Sequence, residues 1–192
     1  IPIMRRREAR LMLGAVGNVA RNVTSLGGYA VLLGVVGSDA EGRQLAELVG
    51  EDPRIEGDLV PVRGRRTTLK TRYVADGQQL LRVDVEDTDP LPETAELALI
   101  DAIKDELPHV HCVLISDYAK GALTPEILKT TIEGARALSI PVVADPKGRD
   151  FSKYRGVSLL KPNANELSLA LDMPCETDAE IEQALTLALT RF

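Results

Sequence analysis

The amino-acid sequence predicts an α/β protein with a small polar β-hairpin set apart from its sheet, on three observations. Short apolar runs alternate with longer stretches of helical spacing, the pattern of a parallel sheet covered by helices. With no Trp, two Phe and four Tyr, the core must be built from Val, Leu, Ile and Ala, which suit strands buried on both faces. Two segments of polar–apolar alternation flank Asp76-Gly77, a dipeptide that tolerates the positive φ angles of a two-residue hairpin turn.

Taken in order, a helix is expected from about Asn18, carrying Val19, Val23 and Leu26 at helical spacing and stopped by Gly27-Gly28. Tyr29 to Val36 reads as a buried strand. Ser38 or Asp39 is placed to cap the next helix, through about Val49, by accepting N–H groups of its first turn. The pattern differs over residues 57–86, where Thr67 to Ala75 and Gln78 to Val85 form the hairpin, which reads as a flap or lid spanning about 66–86. After Pro90 and Pro92 the alternation of strand and helix resumes. A helix is expected over about Glu93 to Leu107, then a strand from His111 to Ser116. Thr124-Pro125-Glu126 supplies an N-cap and a proline at the first helical position. Strands at Pro141 to Asp145 and Gly156 to Leu160 follow, then a helix from about Asn165 and another from Thr177. Thr177 and Glu180 form a capping-box pattern.

Composition excludes several function classes. The 192 residues suffice for one domain, and a formal net charge of −6 lacks the basic field of a nucleic-acid or membrane-surface binder. No apolar stretch approaches the length of a membrane span. The basic run Arg5, Arg6, Arg7 and Arg10, with Met4 before it, superficially resembles a secretory leader. Glu8 interrupts it, two glycines break the apolar stretch that follows, and no small-x-small cleavage site follows cleanly. Cys112, inside the apolar run Val110 to Ile115, is expected to behave as a small buried hydrophobe. Cys112 and Cys175 make neither a disulfide framework nor a metal-ligand spacing, and His109 and His111 lack a further ligand. Together these point to the reduced cytoplasm.

The chemistry concentrates at strand ends. Ser116-Asp117-Tyr118-Ala119-Lys120-Gly121, Asp145-Pro146-Lys147-Gly148 and Lys161-Pro162-Asn163-Ala164-Asn165-Glu166 each place a carboxylate and a lysine just past a strand. In doubly wound sheets that edge is where ligands bind. Loop composition alone would account for any one of them, but three on one edge suit phosphate chemistry. Carboxylates hold Mg²⁺ through water, and lysines neutralise phosphate charge. A G-x-x-x-x-G-K-[ST] loop is absent, Gly14 to Asn18 matches a dinucleotide fingerprint poorly, and no G-x-S-x-G occurs.

Gly14-Ala15-Val16-Gly17-Asn18-Val19-Ala20, with Gly27 and Gly37 at the family spacing, resembles the first signature of the ribokinase-like (phosphofructokinase B) carbohydrate kinases. Asn163 to Glu166 is similar to their N-x-x-E motif. Residues 67–86, 116–124, 145–156 and 162–166 resemble the branch of that family acting on D-glycero-β-D-manno-heptose 7-phosphate. The resemblance implies a ribokinase-like αβα sandwich with a β lid, and ATP- and Mg²⁺-dependent phosphorylation of the anomeric hydroxyl to the 1,7-bisphosphate. That reaction serves ADP-heptose and lipopolysaccharide core biosynthesis. By position, Gly14, Gly17, Asn18, Lys70, Arg72, Gln79, Arg82, Asp117 and Lys120 are expected on the substrate side. Asp145, Lys147, Asn163, Ala164, Asn165 and Glu166 are expected on the ATP side, with Glu166 reaching the metal through water.

Two departures from the family pattern matter. Ala15 stands where the family has a second glycine, and a Cβ there is costly if the position needs positive φ. The family's G-A-G-D segment, which supplies the catalytic aspartate, has no counterpart in residues 1–192. Residues 1–192 are therefore expected to be a partial kinase domain, incomplete at both termini and inactive alone, with Arg7 and Glu8 ending a first lid strand. The expected partners are a sugar phosphate, ATP and a second copy joined through the lid, with no nucleic acid or membrane. The competing expectations are another ribokinase-like sugar kinase, or a non-catalytic sugar- or nucleotide-binding protein.

Overall fold

The computed structural model describes Arg5 and residues 7–192. Met4 and Arg6, part of the N-terminal basic run, lie outside the described residues. Residues 7–14 carry no regular structure, and the rest of the first lid strand expected to end at Arg7 and Glu8 lies outside the described residues.

The elements in order are α1 (Ala15–Ser25), β1 (Ala30–Gly37), α2 (Ala40–Gly50), β2 (Ile55–Val62), β3 (Leu69–Ala75) and β4 (Gln78–Val85). There follow α3 (Glu93–Glu106), β5 (Val113–Ser116), α4 (Pro125–Ala137), β6 (Val142–Asp145), β7 (Leu159–Leu160), α5 (Ala164–Leu171) and α6 (Asp178–Arg191). Short 3₁₀ turns occupy Leu107–His109 and Ser152–Tyr154.

β1 and β2 pair in parallel from Ala30↔Ile55 to Gly37↔Val62. β5, β6 and β7 form a second parallel sheet in that order. β1 is covered on both faces because its side chains alternate. Leu33 and Val35 pack on the main core with α3, α4 and β5, whereas Leu32 joins Leu13, Ala20, Val49 and Ile55 of a second core under α1 and α2. These are the layers of an αβα sandwich.

β2 is hidden in the sequence because Gly57, Asp58 and Pro61 obscure its period. It is a core strand rather than part of the flap, paired on one side only among the described residues, a setting in which a proline without an N–H is tolerated. α1 begins at Ala15, three residues before the expected start, because Gly14 serves as N-cap without a side-chain bond. Tyr29 lies outside β1 and is exposed. β5 begins only at Val113, so Cys112 is exposed and not a buried hydrophobe; Cys175 is the buried thiol.

The hairpin agrees with its sequence signal. β3 and β4 are antiparallel from Leu69↔Val85 to Ala75↔Gln78, with a shift after Tyr73. Asp76 and Gly77 take φ of 50° and 78°, the left-handed pair of a type I′ turn. The expected caps are present: Asp39 accepts from the Gly42 N–H, Thr124 from that of Ile127, and Thr177–Glu180 forms a reciprocal capping box. Asn163–Glu166 forms a second such box, which starts α5 at Ala164, one residue before the expected start.

Candidate functional site

Parallel pairing brings the three strand-end motifs to one edge: Ser116 lies beside Asp145 in the register, and β7 follows on the far side of β6. There the lysines and carboxylates pair between motifs rather than within them. Lys147 Nζ lies 3.0 Å from Glu166 Oε1, and Lys161 Nζ lies 3.0 Å from Asp145 Oδ1. Glu166 also accepts the Asn163 N–H through Oε2 at 2.9 Å, while Asn163 Oδ1 accepts the Glu166 N–H. Burial works to raise the Glu166 pKa, but the Asn163 N–H, the Lys147 ammonium and the nearby Lys161 charge hold it below the ordinary carboxylate range. Ala164 and Asn165 lie exposed at the first turn of α5.

Asp117 is largely buried at the end of β5, with both carboxylate oxygens engaged. Oδ1 accepts the Ala119 N–H at 2.7 Å; Oδ2 accepts Lys153 Nζ at 2.7 Å and the Tyr154 hydroxyl at 2.5 Å. Desolvation pushes its pKa up, and those three donors more than reverse the effect. Gly121, a few residues on, has φ +75°, and a Cβ there would stand 2.1 Å from the Asp89 carbonyl oxygen, so only glycine fits.

The hairpin is tied down at its base. Thr67 donates its N–H (2.8 Å) and hydroxyl (2.6 Å) to Asp39, and accepts the Gly37 N–H at 2.8 Å. Arg66 grips Asp87, with Nε 3.0 Å from Oδ1. Arg65 donates to the Asp87, Asp89 and Lys120 carbonyls. Lys120, from the first strand-end motif, donates to Glu86, which Lys70 also reaches at 2.9 Å. Further out, Lys70 and Arg82 share Asp84 at 2.7 and 2.9 Å.

Arg72 faces Arg82 directly across the hairpin, on the same face as Lys70. Like charges so placed repel, and an anion between them would relieve this. Gln79 is exposed near the turn. In the first loop Gly14 is open, with nothing within 4 Å of an added Cβ, whereas Gly17 lies 3.1 Å from the Leu13 Cβ by the same construction. The missing Cβ of Gly17 thus accommodates Leu13. Asn18 is exposed on α1. Ala15 has φ 47°, so the family's glycine does correspond to a left-handed position.

Sequence reasoning misses Arg65, Arg66, Thr67, Glu86, Asp87, Lys153 and Tyr154 as site residues. Thr67, Glu86, Lys153 and Tyr154 lie in segments that carry the resemblance, but only pairing across the fold shows what these side chains bond to. Asp39 reads from sequence only as a helix cap.

Asp145 and Glu166 are oxygen donors at neighbouring strand ends. Among the described residues no group of three or more His, Cys, Asp or Glu could hold an ion unaided. Such a donor set fits Mg²⁺ carried mainly by water and phosphate oxygens, the usual state of that ion in phosphoryl-transfer sites. No helix among the described residues is long and apolar enough to cross a membrane.

Comparison with known proteins agrees with this architecture. The "Bifunctional protein HldE" of Hyphomonas neptunium is 47% identical over 189 residues, covering 98% of this chain and 39% of that protein. Its namesake from Gluconacetobacter diazotrophicus is 44% identical over 191 residues, covering 100% and 40%. The chain thus spans about two fifths of the length of these relatives. Among solved structures, the tetrameric inhibited form of phosphofructokinase-2 from Escherichia coli superposes with a TM-score of 0.73 at 22% identity, over 97% of this chain and 64% of that one. Ribokinase from Arabidopsis thaliana, complexed with ribose and ATP, gives 0.67 at 21% identity, over 91% and 56%. At such identities these structures establish the fold alone. The pfkB family carbohydrate kinase profile matches residues 8–190, so the chain belongs to the pfkB family of carbohydrate kinases.

Proposed function

We propose that residues 1–192 form part of a kinase domain that transfers the γ-phosphoryl group of ATP to the anomeric hydroxyl of D-glycero-β-D-manno-heptose 7-phosphate. The product is the 1,7-bisphosphate, a precursor of ADP-heptose and the lipopolysaccharide core, and the use of ATP suits a cytoplasmic reaction. The observation that carries the reading is the row of cross-paired lysines and carboxylates at adjacent parallel strand ends, Lys147–Glu166 and Lys161–Asp145.

Phosphoryl transfer depends on positioning and charge neutralisation more than on covalent work by the protein. Lys147 is the cation for the nucleotide phosphates, and the N-terminus of α5 after Asn163, with Ala164 and Asn165, lies against them. Asp145 and Glu166 would hold Mg²⁺ through water, and the bound ion would offset charge on the phosphates. On the lid, Arg72 and Arg82, with Lys70 and Gln79 beside them, meet the sugar phosphate, an anion that relieves the repulsion between the two guanidiniums. Gly14 and Asn18 contribute the sugar-side loop, and Asp117 and Lys120 secure the strand end beneath the lid. No residue of 1–192 is assigned as the base that deprotonates the hydroxyl. The hairpin's other face exposes Tyr73, Leu81, Val83 and Val85, and is proposed to pair with a second copy.

The test is ADP release in a coupled assay on full-length protein containing this chain. The substrates offered are heptose 7-phosphate, ribose, fructose 6-phosphate and a nucleoside. Turnover is expected with heptose 7-phosphate; turnover with ribose and none with the heptose would overturn the substrate assignment. Failure with every sugar would favour a binding protein instead.

A further inference from the structure

The Tyr154 hydroxyl joins two strand ends. It donates to Asp117 Oδ2 at 2.5 Å and accepts the Lys147 N–H at 3.0 Å. Tyr154 is almost completely buried, with its ring centroid 6.5 Å from that of Phe151, and it closes a 3₁₀ turn that folds the segment after Lys147 back under the sheet edge. Lys147 in turn reaches Glu166, and Glu166 holds the Asn163 N–H. One chain of hydrogen bonds therefore runs Asp117–Tyr154–Lys147–Glu166–Asn163, crossing the ends of β5, β6 and β7.

We infer that Tyr154 is a positioning residue: anchored by buried Asp117, its hydroxyl fixes the Lys147 backbone so that the ammonium stands against Glu166. The functional half of this inference rests on the proposed reading of Lys147 and Glu166 as the nucleotide side of the site. The Lys147 side chain is flexible and exposed, so its reach is set by where its backbone is held. Phenol suits this role because one oxygen donates to a carboxylate and accepts from an amide at once. Burial and the Asp117 hydrogen bond raise the Tyr154 pKa, so the hydroxyl keeps its proton across the working pH range. Asp117, with both oxygens engaged, acts here through Tyr154.

Tyr154→Phe keeps the buried ring and deletes only the oxygen. Hydrogen exchange at the Lys147 amide should become about five- to tenfold faster, as loss of one hydrogen bond predicts. In full-length protein that transfers phosphate, KM for ATP should rise about five- to tenfold while KM for the sugar stays within about twofold.

Lys153→Met is the control. It removes the other partner of Asp117 Oδ2 and weakens that corner, yet leaves the Tyr154 bonds in place, so the Lys147 amide should keep its protection. Equal deprotection by both variants would show general loosening and overturn the inference, as would unchanged exchange in Tyr154→Phe. The exchange arm needs no turnover. A wild-type protein inactive on every sugar would therefore refute the proposed function while leaving the relay separately testable.

Discussion

Asp39→Ala should be the most damaging single substitution at the base of the hairpin. The carboxylate does two jobs: it caps α2 through the Gly42 N–H at 2.8 Å, and it receives both the N–H and the hydroxyl of Thr67 at 2.8 and 2.6 Å. Loss of an N-cap costs about 1 kcal/mol. Thr67 is only 6% exposed, so its two donors lose an acceptor that water replaces poorly, at about 1–3 kcal/mol. The sum is about 2–4 kcal/mol, or a urea midpoint lowered by about 1–2 M at the usual denaturant sensitivity. Urea unfolding followed by circular dichroism measures it. Thr67→Val completes a double-mutant cycle, in which a coupling above about 1 kcal/mol is expected. A loss under about 1 kcal/mol, or strict additivity with Thr67→Val, would refute the claim that this bond set joins the β1–α2 turn to the hairpin.

Ala15→Gly should stabilise the fold by about 0.5–1 kcal/mol, because relief of a left-handed alanine (about 1–2 kcal/mol) exceeds the added entropy of an unfolded glycine. Thermal unfolding checks it, and an unchanged or lower midpoint would contradict the positive φ. Acid should weaken the fold through Asp117. Its folded pKa lies below the unfolded value of about 4, so its contribution is complete above that pH and is lost as the pH falls through the folded value. Asp117→Asn should therefore be clearly less stable than wild type at pH 6, with the gap narrowing toward pH 3. A gap that stays constant in urea titrations across this range would show that the carboxylate's charge is not what stabilises.

Much of the fold is legible because local chemistry writes it plainly. The Asp76-Gly77 turn requires its two left-handed residues, and Thr124-Pro125, Asn163–Glu166 and Thr177–Glu180 carry their caps within a few positions. β2, paired on one side only among the described residues, is hidden since such a strand tolerates glycine, aspartate and proline that a central strand would reject. Cys112 misleads because an apolar run does not reveal how much of it the sheet covers.

For the site, the sequence by itself determined which residue types gather past the strand ends, and parallel topology then guaranteed that these motifs share an edge. Only the tertiary structure decided the partners. Lys147 pairs with Glu166 and Lys161 with Asp145, not each with the carboxylate of its own motif. Asp117 turned out to be buried and bonded to Tyr154, thirty-seven positions away. The reason is physical: caps and turns are bonds between near neighbours, whereas an ion pair across strand ends depends on register and burial, which the whole chain sets.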